Sequence, residues 1–115
     1  MKASVTVKEN YEFRRIFRKG KSAVSPLLVV YCQKNRRHLS RLGVSVSTKL
    51  GGAVTRNRVR RRLREIYRLN KPRMCPGYDL ILVPRVRAVS ASYQQLDRAY
   101  LRLLGQLGLL QEDAE

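Results

Sequence analysis

Residues 56–73 hold nine Lys or Arg against one acid, Glu65. Wound as a helix, they place Asn57, Arg61, Arg64 and Arg68 at i, i+4, i+7 and i+11. That spacing makes a straight polar ridge opposite an apolar stripe of Val59, Leu63 and Ile66, with Arg58 and Arg60 on its flanks. At ~1.5 Å per residue the ridge runs ~16 Å, the length of several successive phosphates. Such residues recognise rather than cut, because a guanidinium fork grips a phosphate through parallel N–H donors. Like charges at this spacing each cost a free helix roughly 0.2–0.5 kcal/mol, and a merely solvated face would interleave Glu with Lys to relieve them. A membrane-surface helix is disfavoured, since the apolar stripe is narrow and carries neither Trp nor Phe. Gly51-Gly52 ahead of this helix predicts a flexible entry whose free N–H groups form an anion site beside Lys49 and Arg56. The G-x-x-x-x-G-K-[ST] spacing of a nucleotide-binding P-loop is absent.

Residues able to break a phosphodiester are not assembled anywhere in the chain. A protein nuclease needs paired carboxylates for metal ions or histidines for acid–base work. The single histidine, His38, sits in a polar turn among Arg36, Arg37 and Arg41. Before the C-terminal segment the acids are Glu9, Glu12, Glu65, Asp79 and Asp97, with no motif spacing; Glu9 is expected to serve a helix cap and Glu65 to pair with arginines. No catalytic residue and no metal ligand set is therefore assigned to the protein. Cys32 and Cys75 suit neither a disulfide framework nor a metal site and are expected to be a core thiol and a loop thiol.

The charge of the whole chain agrees with a recognition role. Its 115 residues carry 25 Lys+Arg, 18 of them Arg, against 8 Asp+Glu, a formal net charge of +17. Three of those acids (Glu112, Asp113, Glu115) lie in the last four residues, so the remainder is more basic still. A globule so charged repels itself, and its working state is bound to a polyanion. Nucleic acid is the favoured partner; an anionic membrane surface and an acidic protein are the alternatives. The longest apolar run, Leu27–Cys32, is far too short to cross a bilayer, and the first nine residues hold no signal-peptide core. The expected location is the cytoplasm.

Hydrophobic residues make up 43% of the chain, enough for one folded domain, expected over residues 1–108 with a flexible acidic tail at 109–115. Thr6 with Glu9 predicts a capping box opening a helix that carries Phe13, Ile16 and Phe17 and stops near Gly20. Ser22–Gln33 is expected to be a strand, with Pro26 near its start marking either an edge position or the point where the strand begins. Arg41–Thr48 alternates, with Leu42, Val44 and Val46 facing a core and Gly43, Ser45 and Ser47 forming an open face. Ala53–Asn70 is the basic helix, Tyr78–Val83 a buried strand, and Ser92 with Gln95 caps a last helix ending at Gly108. The order α-β-β-α-β-α predicts an α+β fold, a two-layer α/β sandwich in which a crossover through the basic helix is possible.

The run Lys49-Leu50-Gly51-Gly52-Ala53-Val54-Thr55-Arg56-Asn57-Arg58-Val59-Arg60-Arg61-Arg62-Leu63-Arg64-Glu65 resembles the RNR motif of the bacterial ribonuclease P protein subunit. The resemblance extends to the Phe13/Phe17 pair, to Ser40–Ser47 ahead of the motif and to Tyr78–Arg85 as the last core strand. It implies a left-handed βαβ crossover through the basic helix, the opposite of the usual hand. It further implies that a large RNA is the catalyst, that magnesium held by that RNA activates the water, and that precursor tRNA loses its 5′ leader. On this resemblance Arg56, Asn57, Arg58, Arg60, Arg61, Arg62, Arg64 and Arg68 contact the catalytic RNA. Phe13, Phe17, Tyr31, Lys49 and Arg85 become candidates for a leader cleft, with core packing the alternative for the aromatics. Val86 stands where relatives often carry a further basic residue, with Arg87 one position on. The implied partners are ribonuclease P RNA and precursor tRNA, with no membrane and no small-molecule substrate. A structural RNA-binding protein and an autonomous nuclease are the competing functions.

Overall fold

A computed structural model of the chain describes residues 5–7, 9–35 and 39–111. His38 with Arg36 and Arg37, and the acids Glu112, Asp113 and Glu115, lie outside them. Five strands, β1 (Val5–Thr6), β2 (Lys21–Val24), β3 (Leu28–Lys34), β4 (Arg41–Val44) and β5 (Tyr78–Pro84), form one sheet in the order β1-β4-β5-β3-β2. Three helices accompany them: α1 (Asn10–Lys19), α2 (Ala53–Asn70) and α3 (Tyr93–Leu107). β4 and β5 are parallel neighbours joined through α2, so the crossover through the basic helix is present.

Side-chain alternation divides the sheet into two faces. Leu28, Val30, Cys32, Leu42, Leu80 and Leu82 point to one face and pack with Val59, Leu63, Ile66 and Tyr67 of α2 and Leu96, Tyr100, Leu103 and Leu104 of α3. Sheet and α2–α3 layer together are the two-layer sandwich read from the sequence. α1 adds a short layer on the opposite face, where Val7, Ile16 and Ile81 are buried with Phe13, Tyr31 and Val83 beside them.

Four local expectations are corrected. Thr6 does not cap α1; it pairs with Leu42 in β1, and the Val7 amide donates to the Leu42 carbonyl at 3.0 Å. Docking this segment on the sheet edge delays the helix to Glu9, the N-cap, whose amide donates to Glu12 Oε1 at 3.5 Å. Second, Ser22–Gln33 is a hairpin, not one strand. Ser25 Oγ accepts from the amides of Leu27 (3.3 Å) and Leu28 (3.1 Å), and Pro26 has no N–H to continue a ladder. Third, β4 ends at Val44, although the Ser45 amide still donates to the Leu82 carbonyl at 3.0 Å. Fourth, the domain runs past residue 108. Leu109 is buried, its carbonyl accepts from the Cys75 amide at 2.7 Å, and the Gln111 amide donates to the Arg73 carbonyl at 2.7 Å. Two leucines after the αL cap Gly108 have apolar surface to bury, and the 73–75 loop offers unpaired backbone to meet them.

Candidate nucleic-acid interface

α2 presents its predicted ridge to solvent. Asn57, Arg58, Arg61, Arg64 and Arg68 are exposed, while Val59, Leu63, Ile66 and Tyr67 are buried beneath them. Arg61 and Arg64 make no side-chain hydrogen bond or ion pair among the described residues, so their donors are available to a ligand. Other members of the predicted set are partly committed. Arg60 Nη1 donates to Asn57 Oδ1 at 2.7 Å, Arg68 Nη2 to Glu65 Oε2 at 2.9 Å, and Arg56 Nε to the Gly51 carbonyl at 3.1 Å. Arg62 turns the other way, its Nη1 donating to the Ala91 carbonyl at 3.2 Å and tying α2 to the turn before α3. The glycine entry is less open than expected, because the Gly51 amide donates to the Thr48 carbonyl at 3.1 Å. Gly51 itself has φ 131°, a conformation that favours glycine.

The predicted cleft residues lie on the opposite face, around α1. Phe13, Phe17 and Tyr31 form a continuous aromatic cluster: the Phe13 and Phe17 centroids are 6.2 Å apart, and Phe17 meets Tyr31 edge-on at 4.7 Å. Phe17 is 38% exposed, Phe13 and Tyr31 half-buried. Gly43 is not open to a ligand as its pattern suggested. A Cβ there would lie 2.8 Å from Phe13 Cζ, so the missing side chain is what seats the Phe13 ring on the sheet. The free part of the face starts one residue further on. There Val44 and Ser45 line a groove of about 510 Å³ with Asn10, Phe13, Arg14 and Phe17. Lys49 and Arg85 are not among the residues lining this groove; both are exposed, Lys49 in the turn after β4 and Arg85 just past β5, where its Nη1 donates to the Ser25 carbonyl at 3.2 Å.

The position of α1 is fixed by a buried ionic network absent from the sequence reading. Arg41, 4% exposed, donates through Nε to Asp79 Oδ1 (2.9 Å), through Nη2 to Asp79 Oδ2 (2.8 Å) and through Nη1 to Glu12 Oε2 (2.9 Å). Asn35 Nδ2 adds a bond to Asp79 Oδ1 at 2.8 Å. Burial pushes the Asp79 carboxyl up, but the Arg41 and Asn35 hydrogen bonds and the Arg41 charge outweigh it and hold it below its ordinary value. The Asp79 carboxylate in turn raises the Arg41 guanidinium, against the effect of burial. Asn10 and Arg14 also went unread as cleft residues. Their signal was available, since they flank Phe13 and Phe17 on one helical face. Arg41 had no local signal.

These surfaces define a class: a basic single-sheet α/β protein with a cation ridge on one side and an aromatic groove on the other. Among the described residues no cluster of three His, Cys, Asp or Glu could hold a metal ion, and no helix is long and apolar enough to cross a membrane. The Ribonuclease P family matches residues 1–108. The chain is 47% identical to the ribonuclease P protein component of Natranaerobius thermophilus over 98% of each chain, and 45% identical to that of Clostridium botulinum strain Loch Maree over 90% of this chain and 94% of that one. The fold matches the RNase P proteins of Staphylococcus aureus (TM-score 0.83, 32% identity, 94% of this chain and 99% of that) and Thermotoga maritima (0.81, 32%, 88% and 96%). The chain therefore belongs to the ribonuclease P protein family, as a component of an endoribonuclease that works in tRNA processing.

Proposed function

We propose that the chain binds the catalytic RNA of ribonuclease P through the exposed ridge of α2 and the 5′ leader of precursor tRNA in the groove beside α1. The observation that carries the first half is the pair Arg61 and Arg64, exposed, unpartnered among the described residues and in line on a helix whose other face is buried. Polyanion binding relieves their mutual repulsion, so the folding penalty becomes binding energy. For the leader, the Phe17–Tyr31 contact leaves ring surface in a groove that also carries Arg14, an arrangement that takes single-stranded bases without reading their sequence.

In this reading the protein supplies binding and placement, and the hydrolysis is supplied by the RNA with the magnesium it holds. Among the described residues, four carboxylates are already engaged by the protein's own side chains. Glu12 and Asp79 are held by Arg41, Glu65 by Arg68, and Asp97 accepts from Asn70 Nδ2 at 2.9 Å. The complex works in the cytoplasm, where its RNA partners are made. The test is cleavage of precursor tRNA by the catalytic RNA at low magnesium, with and without the protein. Added protein should raise the rate; no gain over RNA alone overturns the proposal. Neutralising Arg61 and Arg64 together should flatten the salt dependence of assembly by ~1–2 units of slope, one per lost phosphate contact.

A further inference from the structure

Helix α1 carries a further surface, which neither its sheet-facing side nor the groove uses. Tyr11, Arg14, Arg15, Arg18 and Lys19 take up the half of the helix turned to solvent, and all five are exposed. Tyr11 stands at the centre of that half. Arg14 and Arg15 lie one turn on to either side of it, and Arg18 lies two turns on in line with it, ~10 Å away. The Tyr11 ring is 63% exposed and makes no ring contact among the described residues, whereas Phe13, Phe17 and Tyr31 hold one another. The four cations make no side-chain hydrogen bond or ion pair among the described residues. The acids of this helix do not relieve them: Glu12 is buried against Arg41, and Glu9 is taken by the N-cap.

Two of these cations have a local reason. Arg18 and Lys19 lie in the last turn, where positive charge complements the helix dipole. Arg14 and Arg15 do not, and the pairs Arg14–Arg18 and Arg15–Lys19 repel at i, i+4. A merely solvated face would break such pairs with Glu. An accessible aromatic ring set among unpaired arginines is instead what proteins offer to single-stranded nucleic acid: the ring stacks a base and the cations track the backbone. Arg14 also lines the groove, so the two surfaces share an edge, and a strand leaving the groove on that side meets the outer face next. Resting on the reading that the groove takes the leader, we propose that the outer face of α1 binds the leader nucleotides beyond the groove, those farther from the tRNA body. Tyr11 stacks one of their bases, and Arg15 and Arg18 contact the phosphates next to it. The α2 ridge takes no part in this contact, since α2 packs on the opposite face of the sheet.

Binding of precursor tRNA to the assembled ribonucleoprotein, with leaders of increasing length, provides the test. With the unsubstituted protein, affinity should rise in a second step of about tenfold once the leader outgrows the groove, the increment expected of one stacked base. Tyr11→Ala should remove that step and leave short-leader and mature tRNA binding as they were. Tyr11→Phe, which keeps the ring, should retain it. Arg15→Gln combined with Arg18→Gln should flatten the salt dependence by ~1.4 units of slope for the long leader alone, at ~0.7 per single-strand phosphate contact. A second step that is absent from the unsubstituted protein, survives Tyr11→Ala or keeps its full salt slope in the arginine double variant overturns the proposal. Equal losses for short and long leaders also overturn it. So does weaker assembly with the catalytic RNA in the absence of substrate, which would assign the face to that RNA. Phe17→Ala tests the groove reading separately. If it spares short-leader binding, the groove assignment fails, whatever Tyr11→Ala does to the longer leader.

Discussion

Among the described residues, twenty buried apolar residues form one continuous core on the α2–α3 face of the sheet, whereas three do so under α1. The poorer face makes up the difference with charge. Arg41 and Asp79 open β4 and β5, and there they bind Glu12 of α1 in a buried network. At the far ends of the same strands, Ser45 and Val83 stay only partly covered. Burial is non-directional and closes whatever it covers. A directional ionic anchor can hold a helix at one end of a face and leave the other end open as a groove. The difference between the two faces is therefore between a surface built to exclude and one built to admit.

The strongest way to break that comparison is to remove the anchor. Arg41→Met takes the guanidinium away from the buried Asp79 and Glu12, and should cost about 3–5 kcal/mol in denaturant unfolding. A loss below about 1 kcal/mol would mean that α1 is held by its apolar contacts after all. Acid gives the same contrast a sign. The folded Asp79 carboxyl titrates below its unfolded value, so its stabilisation is complete above about pH 4 and is lost as the pH falls through the folded value. In Arg41→Met the buried Asp79 lacks that cation and is favoured in its neutral form. The stability gap between variant and parent should thus narrow as the pH falls through the variant's raised Asp79 value and on through the parent's lowered one. A gap that stays constant from pH 7 to pH 3 would remove Asp79 from the anchor.

A smaller change sharpens the other end of the face. In Gly43→Ala the new methyl would lie 2.8 Å from Phe13 Cζ, and the ring must move. The expected cost is about 1–3 kcal/mol, accompanied by a wider separation of the Phe13 and Phe17 rings in a solved structure. An unchanged ring position would show that Gly43 is not what seats Phe13.

What the sequence made legible follows from which interactions are local. α2 and α3 were readable because their stripes, the Ser92–Gln95 box and the αL glycine at 108 act within a few residues. The facing of β4 was readable from alternation. Thr6 was misread because a local cap signal competes with pairing to Leu42, thirty-six residues on. Arg41 was invisible in its role since its partners, Glu12 and Asp79, are 29 and 38 residues away. The site divides the same way: the ridge lies on one helix and could be read from spacing alone. The groove joins α1 to the end of β4; Phe13 and Phe17 came from family resemblance, with Asn10 and Arg14 added by the structure.

The gentlest perturbation is Phe17→Ala, and its value lies in separating the two uses of an aromatic ring. Phe17 is 38% exposed and meets Phe13 at a tilt and Tyr31 in a T-shaped pair, so folding stability should fall by only about 1 kcal/mol or less. Phe13, seated on Gly43, should cost more when truncated. If the groove admits the leader, Phe17→Ala removes a stacking platform worth about 1–3 kcal/mol per base. The assembled ribonucleoprotein should then lose affinity for precursor tRNA while binding mature tRNA as before. Competition binding with leader-bearing and leaderless substrates reads that difference directly. Equal losses for both would place Phe17 in the scaffold of the α1 face, and the groove would lose its assignment as the leader's path.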